Sequence, residues 1–103
     1  HTGVFSAICR AVAKIDRCVR EVVETAIAND YVVLLTADHG NADHAYNADG
    51  TPNTAHSLNQ VQFIVINAGV DHVKDGKLAD VAPTILKLMG IPQPEAMTGE
   101  PLI

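Results

Sequence analysis

Apolar residues return at three- and four-residue steps along the first part of the chain: Val4, Ile8, Ala11, Ile15, Val19, Val22 and Ala26. Such spacing places one stripe on a helix. Arg10, Lys14, Arg17, Arg20, Glu21 and Glu24 fall on the opposite face, and one long helix from Gly3 to Asn29 is predicted. Asn29-Asp30 closes it. The pattern then becomes continuously apolar and partly β-branched over Tyr31-Val32-Val33-Leu34-Leu35-Thr36. That run reads as a strand buried on both faces, as in an α/β sheet. A polar stretch from Asp38 to Gln60 follows, with Gly40, Gly50, Pro52 and four asparagines. A connection of that length is uncommon unless it is functional or disordered.

Val61 to Ile66 reads as a second strand, and Asn67 to Lys77 as a turn region with a tight turn at Asp75-Gly76. A shorter helix comes next, with Asp80 as its N-cap and Pro83 in its first turn. Ile85, Leu86, Leu88 and Met89 face inward, and Gly90 is the stop. Pro92, Pro94, Gly99 and Pro101 make the rest irregular. The fold class expected is α/β: a small sheet, with the second strand antiparallel to the first and both helices packed on it. Residues 1–103 form one partial domain.

Composition narrows the picture. Of 103 residues, 48% are hydrophobic and 4% aromatic, enough for an aliphatic core and against disorder. A net charge of −5 argues against nucleic acid and anionic lipid as partners. No apolar run approaches the roughly 18 residues of a membrane span, and no signal segment is visible. The chain opens on His1 and inside what reads as a motif, so it is expected to be a piece cut from a longer polypeptide. On one helix Cys9 and Cys18 would stand about 13 Å apart on opposite sides, too far to pair. A reducing, cytoplasmic setting is the simpler one.

The candidate chemistry lies in His1, Asp38, His39 and His56. Asp38-His39-Gly40 directly follows the first strand, and ligand sites in open α/β sheets lie beyond the carboxyl ends of strands. A carboxylate and an imidazole there suit a divalent metal, although the triplet alone also reads as an ordinary turn. If the first helix is the right-handed return of a strand–helix–strand unit, its N-terminus shares that edge. His1 would then lie near Asp38 and His39. His56 joins them if the long loop folds back. His44, in mid-loop, either supports a ligand or faces water, and His72 reads as a surface residue.

These residues resemble a known family. His1-Thr2-Gly3 before a long helix is followed by Leu35-Thr36-Ala37-Asp38-His39-Gly40-Asn41-Ala42 and Asn53-Thr54-Ala55-His56. Lys77-Leu78-Ala79-Asp80-Val81-Ala82-Pro83-Thr84 and Met97-Thr98-Gly99 complete the series. Order and spacing resemble the closing segment of cofactor-independent phosphoglycerate mutases, of the alkaline phosphatase superfamily, from end to end. The resemblance implies part of an alkaline-phosphatase-like sheet with flanking helices. It implies interconversion of 3-phosphoglycerate and 2-phosphoglycerate through a phosphorylated serine, with two metal ions, usually Mn²⁺.

By the same resemblance, His1 and His56 are ligands of one ion, and Asp38 and His39 of the other. The family's nucleophilic serine, its remaining aspartate ligands and its substrate-binding domain have no counterpart in these residues. The chain alone is therefore expected to be inactive and to bind metal weakly or not at all. Two departures stand out. Asn53 occupies a position that is often His, and Asn59-Gln60-Val61-Gln62 replaces Asn-Pro-Val-Pro. Two other readings remain: another metal-dependent enzyme of the superfamily, such as a phosphopentomutase or phosphatase, and a non-catalytic α/β module.

Overall fold

A computed structural model of the chain describes residues 2–103. Helix α1 spans Phe5–Ala28. Gly3, in the left-handed region at φ 70°, turns the chain into it. The Val4 carbonyl takes the first helical bonds, from the N–H groups of Ala7 and Ile8 at 3.0 Å each. At the other end Asp30 adopts φ 63°, and the Tyr31 N–H closes on the Ala26 carbonyl at 2.9 Å. Aspartate and asparagine tolerate this left-handed stop better than other non-glycine residues, so Asn29-Asp30 ends the helix as expected.

Strand β1 is Val33–Thr36 and strand β2 is Phe63–Ile66. They pair antiparallel, Val33 opposite Ile66 and Thr36 opposite Phe63, so the long loop does return the chain as anticipated. Both strands start two residues later than expected. Tyr31 lies outside β1 and is 66% exposed, although its carbonyl still accepts a bond from Asn67 Nδ2 at 3.0 Å. The expectation that Tyr31–Thr36 would be buried on both faces is corrected. Its residues are half-buried at Val33, Leu34 and Leu35 and exposed at the ends. A doubly buried strand needs neighbours on both edges and layers on both faces, and β1 pairs with β2 alone among the described residues.

α1 lies against β1 and buries no residue fully. Ala7, Ile8, Val19, Val23 and Ala26 form its half-buried line, with Val23 in place of the anticipated Val22. Val12, Ile15 and Val22 lie open to solvent. Cys9 and Cys18 are free and exposed on this helix.

A turn of 3₁₀ helix, Leu78–Asp80, leads into α2, Val81–Met89, which ends at Gly90 in the left-handed conformation (φ 68°). Two expectations about α2 are corrected. It does not pack on the sheet: it lies against the 3₁₀ turn and the chain's last residues. Ile85 and Met89 are therefore exposed, while Pro83 and Thr84 are its buried residues. Asp80 also makes no side-chain bond to the start of α2. Its carboxylate instead accepts the backbone N–H groups of Lys77 and Glu100 and the Lys77 ammonium, each at 2.9 Å. The Glu100 N–H first, then the Lys77 side chain and backbone, hold the Asp80 carboxyl at about 2. Thr84 completes the knot, donating to the Asp80 carbonyl at 2.7 Å and accepting the Leu102 N–H at 2.9 Å.

Candidate metal centre

Asp38 and His39 follow β1 directly, so the sheet sets their position. The Asp38 carboxylate accepts the His39 backbone N–H at 2.9 Å through Oδ1, which leaves Oδ2 to face the His39 ring. His39 Nδ1 lies 3.0 Å from the Gly40 carbonyl. A carbonyl only accepts, so in the neutral ring the proton sits on Nδ1 and the lone pair on Nε2. That Nε2 is 3.5 Å from Asp38 Oδ2. Two acceptors therefore face each other across a gap that suits a cation. The donor chemistry and this bite fit a divalent ion at Asp38 and His39.

The long loop brings His56 to the same place. Its imidazole stacks on that of His39, with ring centroids 3.6 Å apart and planes 13° from parallel. The return is fixed by a bridge from the Ser57 N–H to the Gly40 carbonyl, 2.8 Å. All four loop asparagines make ties within the loop. Asn41 Nδ2 donates to the Ala55 carbonyl (3.2 Å), and Asn47 Nδ2 to Thr51 Oγ1 (3.0 Å). Asn53 Nδ2 donates to the His44 carbonyl (2.9 Å), and Asn59 Nδ2 to Asp43 Oδ2 (2.6 Å). Bonds from Asn59 and then Ser57 lower the Asp43 carboxyl from its ordinary value.

Three of the four sequence-derived candidates, Asp38, His39 and His56, thus converge. His1 lies outside the described residues. Among the described residues no three His, Cys, Asp or Glu side chains form a metal cage by themselves. His44 and His72 are exposed. A cavity of ≈ 480 Å³ adjoins Asp38 and His39, with Thr36, Lys74, Lys77 and Leu102 also on its walls. Sequence reasoning missed Asp43, whose partners are 14 and 16 residues away. The four asparagines were its only visible signal.

Among the described residues no helix is long and apolar enough to cross a membrane. Over its whole length the chain is 60% identical to the 2,3-bisphosphoglycerate-independent phosphoglycerate mutase of Parabacteroides distasonis. It is 55% identical to the protein of that name from Bacteroides thetaiotaomicron, and 46% to that of Flavobacterium johnsoniae. It spans 20%, 21% and 20% of the length of these relatives. A family model described as the Metalloenzyme superfamily matches residues 1–93. With that match across nearly all of its length, the chain belongs to the Metalloenzyme superfamily.

Proposed function

We propose that this chain is the part of a cytoplasmic, glycolytic phosphoglycerate mutase that contributes ligands to two metal ions. The intact enzyme would interconvert 3-phosphoglycerate and 2-phosphoglycerate through a phosphoserine, with the serine and the substrate-binding residues supplied by the rest of the polypeptide. The observation that carries the reading is the convergence of Asp38, His39 and His56 at the carboxyl end of β1, in a chain so similar to the named mutases.

In this reading Asp38 and His39 would hold one ion. His56 serves the other, together with His1. The near-parallel imidazole planes favour this division, because lone pairs confined to two stacked planes do not converge on one point. The Gly40 carbonyl fixes the His39 tautomer, as a hydrogen-bond partner behind a metal-bound histidine does. When bound, two divalent ions, Mn²⁺ in this proposal, supply the charge neutralisation and alignment that phosphoryl transfer requires. They also supply the positive field that a chain of net charge −5 lacks.

The test is conversion of 3-phosphoglycerate to 2-phosphoglycerate by the full-length protein that carries this chain. Turnover is expected without added 2,3-bisphosphoglycerate. It should disappear with a chelator and return with Mn²⁺. A protein that binds Mn²⁺ but leaves 3-phosphoglycerate untouched while hydrolysing or isomerising another phosphate ester would overturn the assignment.

A further inference from the structure

We infer that Asp43 is a positioning residue of this centre, clamping the His56 arm of the loop so that His56 lies against His39. The inference rests on the metal-centre reading above and adds a residue to it. A single oxygen, Asp43 Oδ2, accepts both Ser57 Oγ at 2.8 Å and Asn59 Nδ2 at 2.6 Å. Ser57 is the neighbour of His56, and its N–H bonds the carbonyl of Gly40, the neighbour of His39. Ser57 Oγ also accepts the Asn59 N–H at 3.3 Å, so the arm from Ser57 to Asn59 is gathered on one carboxylate.

The backbone leaves room for this clamp only at glycine. A Cβ on Gly40 would collide with Ser57 Oγ and come within 2.6 and 2.9 Å of the Asp43 carboxylate oxygens. The carboxylate, the serine hydroxyl and the missing side chain of Gly40 thus form one packed contact next to the two imidazoles. The side chains that Asp43 is seen to hold, Ser57 and Asn59, belong to the loop, and through them it acts on the neighbouring His56. The Ser57–Gly40 backbone bond and the Asn41–Ala55 tie hold the same return from the backbone side.

The test uses the full-length protein, with Asp43→Ala, Asp43→Asn and His56→Ala measured side by side. Asp43→Ala should weaken Mn²⁺ binding about 10- to 100-fold, the usual effect of losing a residue that orients a ligand. It should also shift the His39 and His56 ring resonances in the metal-free protein, with an unchanged far-ultraviolet circular dichroism spectrum. Asp43→Asn should restore both readouts close to wild type, because one carboxamide oxygen replaces the one oxygen that both donors use. His56→Ala should lose the Mn²⁺ ion assigned to His56, about half of the metal bound by wild type.

If His56→Ala binds Mn²⁺ like wild type, the metal-centre reading fails and the clamp falls with it. If His56→Ala loses that ion but Asp43→Ala keeps wild-type affinity and ring resonances, the centre stands and the clamp is refuted. Asp43→Asn behaving like Asp43→Ala would also refute it, because charge rather than the placed oxygen would then be what matters.

Discussion

Replacing Thr84 with valine removes one hydroxyl from the most enclosed point of the structure and changes little else. Thr84 is 0% exposed. Its Oγ1 accepts the Leu102 N–H at 2.9 Å and donates to the Asp80 carbonyl at 2.7 Å. Valine keeps the shape but offers no acceptor, so the Leu102 N–H is left beside a methyl group. A buried donor stripped of its partner costs about 1–3 kcal/mol, equivalent to about 5- to 140-fold in a local opening equilibrium. Thr84→Ser makes the complementary change, keeping the hydroxyl and deleting a methyl for about 1 kcal/mol, or about 5-fold.

Hydrogen exchange of the Leu102 amide reads the opening directly, because a local segment can open without global unfolding. Exchange should accelerate most in Thr84→Val, less in Thr84→Ser, and not at all in amides of β1. A Leu102 amide that exchanges at the wild-type rate in Thr84→Val would show that the hydroxyl contributes nothing. Faster exchange in Thr84→Ser than in Thr84→Val would show that packing, not hydrogen bonding, holds the segment.

The same knot should respond to acid. The Asp80 carboxyl titrates at about 2 rather than at its ordinary 3.8. A lowered folded-state value gives stability that is complete above the unfolded value and lost as pH falls through the folded one. Protection of the Glu100 amide should therefore hold at neutral pH and decline between about pH 4 and about pH 2. In the full-length protein, His39→Ala and His56→Ala should each abolish turnover and reduce bound metal, while His72→Ala should do neither and His44→Ala should fall between. Circular dichroism controls for folding, and an active His56→Ala would remove that residue from the site. The 103-residue chain alone should not convert 3-phosphoglycerate with Mn²⁺ present. Turnover by pure chain would point to a nucleophile within it.

Local signals in the sequence carried the secondary structure well. The left-handed stops at Asp30 and Gly90 fall where composition places them, and the two apolar runs are the two strands. The antiparallel pairing follows from a loop that must return to the edge it left. What misled was the inference from apolarity to burial. Leu34 and Ile85 are apolar enough to be buried, yet depth depends on neighbours outside the pattern. Asp80 shows another limit: an aspartate before a helix reads as a cap, but its partner at Glu100 is 20 residues away. At the candidate metal centre Asp38, His39 and His56 were legible as residue types beside a strand end. Asp43 was not, because a carboxylate that orders a loop looks in sequence like any other exposed aspartate.

The four asparagine ties give the loop a chemical clock. Each depends on an amide NH₂ as donor, and slow hydrolysis turns that group into a carboxylate, which accepts only. At Asn59 the new negative charge would appear 2.6 Å from Asp43 Oδ2. At Asn41 it would face the Ala55 carbonyl, and at Asn53 the His44 carbonyl. Ageing at any of these positions converts an attraction into a repulsion while leaving both imidazoles chemically intact. The residues that follow are Ala42, Ala48, Thr54 and Gln60, so none of the four ties has the unhindered glycine neighbour that best permits the backbone to attack the amide. Stored preparations whose loop asparagines have hydrolysed would become more acidic and would hold the loop less firmly, with both imidazoles unchanged.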